Sequence, residues 1–324
     1  MENSSRKDLK YLSLAIYKFI LQAREKLILP FYKGFTLRGG FGSVFHKIIC
    51  VNKQTDCSHC LLKDKCIYPY IFETFPPENT SHLSKYRSIP RPFIIEPPLE
   101  KKKEYVPGEI LSFNLILVGK AIGYLPYFIF TFSRLGEIGL GKERARYKLI
   151  RVESLNNPRE KRVIYDGETQ ILRNVNAQID ISSIFSSLMT KNKPILIKFV
   201  TPMRIKYQGS YTFHPYFHII LRCLLRRLSS LLYFHCGKEL NINYKEIIRK
   251  SERIKVLDMK IKWVDWERYS NRQEQNMELG GFIGSAVYEG DFNRFLPFLK
   301  LGEYTHLGKA TVFGLGKYEI LNFP

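Results

Sequence analysis

The segment HLGKATVFGLGKYEI (306–320) lies close to the C-terminus and combines closely spaced glycines with basic residues before a strand-like run. Glycine lets a ligand approach the backbone and exposes N–H groups, and lysine adds positive charge, so such a loop suits a phosphate. The same composition is also typical of a tight turn between two strands. The loop residues predicted to contact an anion are Gly308, Lys309, Gly314, Gly316 and Lys317.

The residues upstream of this loop follow the order of a ferredoxin-like domain. The clearest element is a helix at about 215–236, in which leucines recur at helical spacing. The other predicted elements are strands at 195–200, 255–266 and 282–290, a short helix near 292–299 and a last strand at 317–321. The resulting order of strand, helix, strand, strand, helix, strand is the split βαβ pattern.

The N-terminal half shows the same order more loosely. Its predicted elements are a strand within 10–30, a helix from about Gly40 to Cys50 after a Gly-rich turn, a strand at 110–118, a helix at 124–134 and a strand at 145–153. A polar segment at 153–162 separates the halves, and both contain Gly-Leu-Gly-Lys. We therefore predict an α+β protein of two tandem ferredoxin-like domains, 1–155 and 156–324. A Cys-rich, metal-binding insertion is expected in the first domain at about 50–75.

The charge of the chain favours a polyanionic partner. Its 51 Lys and Arg residues against 30 Asp and Glu give a formal net charge of +21, with a pI near 9.6. An anionic membrane is the weaker alternative, because the longest apolar run, at 121–132, is too short to span a bilayer and contains Pro126. The N-terminus lacks the layout of a signal peptide, so we expect a soluble, cytoplasmic protein with no membrane partner.

Four of the six cysteines lie in one short polar segment, as Cys50, Cys57, Cys60 and Cys66. A reducing cytosol disfavours disulfides, and thiolates so close in sequence favour a tetrahedral site for a soft metal. Zinc is the expected metal, an iron–sulfur cluster is the alternative, and His59 could replace one ligand. Because four thiolates leave no open coordination position, the expected role is structural. Four unliganded thiols are the alternative, which is disfavoured because several Lys and Asp residues make this segment a polar loop rather than a core. Cys223 and Cys236 are expected to be core residues.

Five further motifs occur along the chain, namely LPFYKGFTLRGGFGSVFHKIIC (29–50), CIYPYIFE (66–73), RPFIIEPP (91–98), LGEIGLGKERARYKL (135–149) and TPMRIKYQG (201–209). They are followed by WVDWERYS (263–270), LGGFIGSAVYEGDF (279–292) and the C-terminal loop. This arrangement resembles the CRISPR-associated endoribonucleases that process precursor CRISPR RNA, within the RAMP superfamily. The resemblance covers most of the chain and implies two tandem RAMP domains.

The resemblance also implies a reaction and its partners. RNA is cut within CRISPR repeats without a metal, when the 2′-hydroxyl attacks the adjacent phosphate and leaves 2′,3′-cyclic phosphate and 5′-hydroxyl ends. The expected partner is repeat RNA or crRNA, with effector-complex subunits as a second class, for a monomer or a homodimer. A non-catalytic RAMP subunit that only holds guide RNA is the alternative. A zinc-stabilised DNA-binding protein is disfavoured, because the leucine-rich helix at 215–236 lacks the character of a recognition helix.

Such a reaction needs a general base, a general acid and positive charge near the phosphorane, and histidine suits both proton transfers. The family often uses a histidine near its first helix, which favours His46 here, with Tyr32, Lys33 and Lys47 as helpers. The lower-ranked histidines are His306 beside the Gly-rich loop, then His82, and, as expected packing residues, His214, His218 and His235.

Basic residues outside the C-terminal loop supply the other candidate RNA contacts. Arg38 precedes two glycines at the expected helix start, where backbone N–H groups favour a phosphate. Arginines of the long helix are expected on a face away from the leucines, although a solvated face is the simpler interpretation. Arg268 lies among aromatic residues, as is typical of single-stranded RNA recognition. The candidates are Arg38, Lys142, Arg144, Arg146, Arg222, Arg226, Arg227 and Arg268 with Tyr269.

Overall fold

The computed structural model describes residues 2–75, 89–156, 162–173, 177–186, 193–270 and 275–322. The chain divides into two compact units: a first unit of Ser13–Ile179 with Phe234–Cys236, and a second of Met1–Leu12, Asp180–Tyr233 and Gly237–Pro324. The division after Ile179 lies later than the boundary expected at 155, because two strands beyond residue 155 extend the sheet of the first unit. No helix in the described part of the chain has both the length and the apolar character that a membrane span requires.

The first unit contains a six-stranded antiparallel sheet in the order β3-β5-β1-β6-β7-β8. Its strands are β1 (Leu14–Ala23), β3 (Phe93–Glu96), β5 (Ile110–Val118), β6 (Tyr147–Ser154), β7 (Arg162–Asp166) and β8 (Ile171–Leu172), with β2 (Leu27–Ile28) and β4 (Glu104–Tyr105) paired separately. Its helices are α2 (Gly34–Ile49) and α3 (Leu125–Ile138). The chain order β1-α2-β3-β5-α3-β6 and the sheet order β3-β5-β1-β6 make this unit ferredoxin-like.

Helix α2 begins at Gly34, earlier than the start predicted near Gly40. The sequence suggested a Gly-rich turn, but these glycines lie inside the helix and allow close packing. A Cβ on Gly40 would lie 3.0 Å from a methyl group of Leu135, and one on Gly42 would lie 2.1 Å from the Phe72 ring. The glycines therefore let other core side chains approach the helix surface.

The second unit contains a four-stranded antiparallel sheet in the order β12-β15-β9-β16. The strands of this sheet are β9 (Ile195–Met203), β12 (Lys255–Val264), β15 (Gly281–Glu289) and β16 (Tyr318–Asn322). Two hairpins are formed by β10 (Lys206–Tyr207) with β11 (Ser210–Tyr211), and by β13 (Glu267–Ser270) with β14 (Gln275–Glu278). The helices are α1 (Glu2–Leu9), α4 (Ile181–Ser186), α5 (Phe217–Cys236), α6 (Tyr244–Ser251) and α7 (Leu296–Thr305).

The second unit repeats the topology of the first, since β9-α5-β12-β15-α7-β16 folds into the same sheet order. This confirms the prediction of two tandem ferredoxin-like domains. The leucines of α5 are buried as expected, whereas the short helix predicted near 292–299 is α7 and begins only at Leu296. In each unit Gly-Leu-Gly-Lys, at 139–142 and at 314–317, lies between the second helix and the fourth strand. This equivalent placement supports a duplication.

Candidate functional site

The Gly-rich loop after α7 is bound tightly to the end of β9. The N–H groups of five of its residues donate to acceptors within the protein: Leu307 to Gly316 O, Lys309 to Arg204 O, Gly314 to Thr311 O, Gly316 to Pro202 O and Lys317 to Thr201 Oγ1, at 2.8–3.1 Å. A Cβ on Gly316 would lie 1.9 Å from Leu307 O, so only glycine allows this approach. The prediction that backbone N–H groups of this loop are open to a phosphate is wrong for Lys309, Gly314, Gly316 and Lys317, because intramolecular hydrogen bonds engage them.

His306 is fully buried at the start of this loop. Its Nδ1 donates to the carbonyl of Leu315 at 3.0 Å, and its backbone has a φ of 57°. A side chain with no exposed surface cannot reach the phosphate of a bound RNA in this conformation. The structure therefore corrects the second choice of catalytic histidine and makes His306 an anchor of the loop.

The arginines of α5 do not share one environment. Arg222 and Arg226 are exposed and lie four residues apart, so they share one helix face. Arg227 is buried, and its Nε donates to Thr305 O at 2.7 Å. Burial lowers the pKa of the Arg227 guanidinium to about 10. The prediction that Arg227 contacts RNA is therefore corrected, because its charge faces the protein interior.

The basic candidates of the first unit also divide into exposed and packed residues. Lys142 and Arg144 are exposed in the turn between α3 and β6. Arg146 is exposed as well, but it forms an ion pair with Glu25 at 2.6 Å. The guanidinium of Arg38 lies 3.9 Å from the centre of the Phe72 ring, in the second turn of α2. Arg38 therefore stacks on a core aromatic ring and does not lie at the helix N-terminus as predicted.

His46 is half-buried near the C-terminal end of α2, and its ring packs edge-on against Tyr68 with centroids 4.7 Å apart. Lys47, the next residue, is exposed. The sequence suggested Tyr32 as the helper, but Tyr32 is buried and packs on Phe35. Burial, and the nearby carboxylate of Glu96 to a smaller extent, raises the pKa of Tyr32 well above its ordinary value. Tyr32 is thus poorly placed for proton transfer.

Tyr68 is the tyrosine beside His46, and the sequence reasoning missed it. Its position inside CIYPYIFE, two residues after the last cysteine of the cluster, is the available signal. The other suggested helper, Lys33, is buried and donates from Nζ to the carbonyls of Phe31 and Glu100 at 3.3 and 3.1 Å. Burial lowers the pKa of Lys33, with Glu100 acting in the opposite direction. Lys33 is therefore a packed interior residue.

The four clustered cysteines are all half-buried and lie between α2 and a π-helical turn at Pro69–Glu73. Burial raises the pKa of the Cys57 thiol, and the nearby Glu73 and the other three cysteines raise it further. The thiols are thus near one another, and their chemistry suits a soft metal. However, within the described residues no group of three or more His, Cys, Asp or Glu side chains is arranged to hold a metal ion. The metal site suggested by the cysteine spacing therefore stays a prediction.

The remaining histidines and candidates lie in different surroundings. His235 is buried, and its Nε2 donates to Pro90 O at 2.8 Å, which agrees with a packing role. The prediction of a packing role is wrong for His214, because its side chain is exposed. His218 is half-buried. His82 lies outside the described residues, and for Arg268 and Tyr269 the structure describes only the backbone of β13.

Two family models match consecutive parts of the chain. The model AF_1859_N, described as an N-terminal domain, matches residues 12–177, about half of the chain. The model described as CRISPR-associated endoribonuclease Cas6 matches residues 197–318, which include the Gly-rich loop. A protein of Archaeoglobus fulgidus, described as uncharacterized, is 26% identical over 302 residues, which are 90% of this chain and 92% of that protein.

Similar folds are found among solved structures. A Cas6 product complex has a TM-score of 0.56 at 14% identity and covers 95% of this chain and 99% of its own. A Thermus thermophilus Cas6 has a TM-score of 0.52 at 14% identity, and the match covers 96% of this chain and 99% of that structure. A partial Cas6-RT-Cas1–Cas2 complex has a TM-score of 0.56 at 13% identity, and the match covers 97% of this chain and 47% of the chain in that complex. At such identities these structures support the fold alone. Because the AF_1859_N model matches half of the chain, the chain belongs to that domain family, and its residues 197–318 match the Cas6 endoribonuclease model.

Proposed function

We propose that this protein is an endoribonuclease that cleaves precursor CRISPR RNA within its repeats and needs no catalytic metal. The observation that carries the proposal is the Cas6 match over residues 197–318, the segment that contains the Gly-rich loop and the exposed α5 arginines. The net charge of +21 agrees with a polyanionic substrate.

His46 is the proposed general base or acid. Its half-buried ring is accessible from solvent, and the edge of the Tyr68 ring restricts the imidazole orientation. In the proposed reaction the 2′-hydroxyl loses its proton and attacks the adjacent phosphate. The 5′-oxygen leaves with a proton, which gives a 2′,3′-cyclic phosphate and a 5′-hydroxyl. Lys47 is exposed beside His46 and would stabilise the phosphorane charge.

The proposed RNA contacts are the exposed basic residues of both units, which are Lys142, Arg144, Arg222, Arg226 and Lys309. Lys317 is half-buried, and Gly308, Gly314 and Gly316 shape the loop that presents Lys309. Such residues bind phosphates without reading base identity, so they would supply affinity and salt dependence.

The test is cleavage of radiolabelled repeat RNA in excess EDTA, beside the same RNA with a 2′-deoxy nucleotide at the cut site. Cleavage of the first RNA, with binding but no cleavage of the second, supports metal-independent attack by the 2′-hydroxyl. Cleavage of both RNAs would contradict that mechanism. Binding of both without cleavage favours a second candidate, a subunit that only holds RNA. The burial of Tyr32 and His306, two of the four catalytic candidates, favours this alternative.

We also propose that Cys50, Cys57, Cys60 and Cys66 take up a structural zinc ion, with an iron–sulfur cluster as the alternative. The support is the proximity of the three other thiols to Cys57 and the preference of thiolates for soft metals. Metal analysis of protein purified without chelator should give about one zinc per chain. The zinc should be lost in Cys60→Ser and kept in the control Cys236→Ser. Metal-free wild-type protein would contradict the proposal, and bound iron would favour the cluster.

A further inference from the structure

The second unit carries a continuous row of aromatic and imidazole rings that the functional proposal leaves unused. The rings touch in the order Trp263, Phe213, His214, Tyr216, His218 and Tyr207, with successive centroids 5.7–6.4 Å apart. We call these six residues the aromatic row. Tyr216 is nearly parallel to His218, with an angle of 8° between their planes, and His214 lies at 30° to Tyr216. A row of this kind offers several π-faces within one surface.

The backbone fixes the position of the row. The turn Gln208–Gly209 has positive φ at both residues, 48° and 88°, which suits a two-residue hairpin between β10 and β11. After the hairpin, Pro215 and Phe217 are buried. The carbonyl of Pro215 accepts a hydrogen bond from Tyr288 at 2.5 Å, and the ring of Phe217 packs on Phe295. Because these residues are anchored, Tyr216 and His218 are held near the surface between and beside them.

Three of the six residues in the row are exposed and the other three are half-buried, although their side chains are apolar or weakly polar. Phe213 is 41% and Tyr216 47% exposed, and His214 is exposed as well. Large apolar side chains that adjoin on a surface are typical of an interaction site. His218 is half-buried, and burial lowers its pKa, with Glu252 and Arg222 acting in opposite directions. At neutral pH its imidazole therefore remains mostly uncharged and acts as a further flat ring.

The charges around the row favour an anionic partner. Lys206 lies over the ring of Tyr211 at 5.6 Å, in the same hairpin as Tyr207, and Arg222 is one helical turn beyond His218. Two acidic groups are also close: Asp265 accepts the indole N–H of Trp263 at 2.9 Å, and Glu252 acts on His218. The carboxylate of Asp265 is thus engaged, and the chain as a whole carries +21.

We propose that the aromatic row is a stacking platform for unpaired bases of single-stranded RNA, with Lys206 and Arg222 binding the adjacent phosphates. Flat side chains next to basic ones are how proteins hold single-stranded RNA, since every base offers a π-face. Double-stranded RNA does not suit the row, because its base faces are stacked inside the helix. This proposal extends the proposed function and rests on it only for the identity of the bound RNA.

The test compares two double variants of the full chain. Phe213→Ala/Tyr216→Ala removes two rings of the row, and Phe130→Ala/Tyr127→Ala removes a matched pair on α3 that is 53% and 43% exposed. Binding is measured by fluorescence anisotropy with labelled oligoadenosine RNA and with abasic RNA of equal length. The row variant should bind oligoadenosine at least about fivefold more weakly per ring, whereas the α3 variant should bind like wild type. On abasic RNA the row variant should equal wild type.

Equal affinity of the row variant and wild type for oligoadenosine would overturn the platform. An equal loss of affinity for abasic RNA would also overturn the proposal, because the contact would then not involve bases. Tyr216→Phe keeps the ring and should keep the affinity, and thermal melting checks that each variant is folded. Cleavage of repeat RNA is measured in parallel. If wild type cuts the repeat and the row variant binds oligoadenosine normally, only the platform fails. If wild type cuts nothing but the row variant loses affinity, only the nuclease proposal fails.

Discussion

The two ferredoxin-like units share one topology but fill their cores differently. In the first unit, the rings of Phe41 on α2 and Phe128 on α3 stack with centroids 4.8 Å apart, and glycines on α2 let core side chains approach the helix. In the second unit, α5 occupies the place of α2 and buries leucines such as Leu224 and Leu228. The same sheet order is therefore compatible with an aromatic, glycine-assisted core and with an aliphatic one.

The repeated Gly-Leu-Gly-Lys shows the same contrast at the surface. In the first unit it opens a turn closed by hydrogen bonds between Leu140 and Ala145, and Lys142 remains exposed. In the second unit the N–H groups of Gly316 and Lys317 donate to the end of β9, that of Gly314 donates to Thr311 O, and Lys317 is half-buried. The motif therefore occupies the same position before the fourth strand in both units. The residues packed around it determine whether its lysine is exposed to an anion.

The largest expected effect separates chemistry from RNA binding. His46→Ala should lower the single-turnover cleavage rate by about 10²–10⁴-fold, because a proton-transfer group contributes that much. The Kd for uncleavable 2′-deoxy repeat RNA should stay unchanged. Tyr68→Phe is the matched variant, since it keeps the ring beside His46 and should retain most of the activity. A cleavage rate unchanged by His46→Ala would move the chemistry to another residue.

The next effect tests the tight loop of the second unit. Gly316→Ala should lower the free energy of unfolding by about 3 kcal/mol, because φ is 78° and a Cβ would lie 1.9 Å from Leu307 O. Gly237→Ala is the control, since φ is 65° there but a Cβ would have nothing within 4 Å. The control variant should lower the free energy of unfolding by only about 1 kcal/mol. Urea denaturation measures both, and equal losses would show that the close approach to Leu307 contributes nothing.

The sequence predicted the fold better than the site, for a physical reason. Strand and helix periodicity, as in α5 and β5, depends on residues next to one another in the chain, and both elements lie where the pattern predicted them. Strand β3 (Phe93–Glu96) was missed, because it is only four residues long and lies in a region rich in Pro and Lys. The glycines of α2 predict a turn from the sequence alone, which does not show that Phe72 packs against Gly42.

The site depends on burial, which a single sequence does not reveal. Arg226 and Arg227 are neighbours of the same residue type, yet one is exposed and the other buried against Thr305. His306 looked accessible because glycines follow it, but its ring is enclosed by the loop. Conversely, the position of His214 just before a leucine-rich helix predicts a packing residue, but its side chain is exposed. Each error concerns which side of an element faces solvent, which is set by tertiary packing.

A smaller effect tests the glycine-assisted core of the first unit. Gly42→Ala should lower the free energy of unfolding by about 1 kcal/mol, because the clash with Phe72 outweighs the higher helix propensity of alanine. Gly39→Ala lies in the same helix, where a Cβ would meet nothing within 4 Å. This control variant should raise the free energy of unfolding by up to about 1 kcal/mol. Stabilisation by both variants in urea denaturation would show that Phe72 repacks freely.

The smallest effect asks which unit binds the phosphates. Arg222→Ala/Arg226→Ala in the second unit and Lys142→Ala/Arg144→Ala in the first should each reduce the slope of log K against log salt by about 1.4, if each residue contacts one phosphate of single-stranded RNA. Arg24→Ala, an exposed arginine outside both sets, should leave the slope unchanged. A reduction in only one double variant would assign the phosphate contacts to that unit. The duplicated fold would then carry RNA binding in one copy only, and the exposed lysine of the other copy would be an ordinary surface residue.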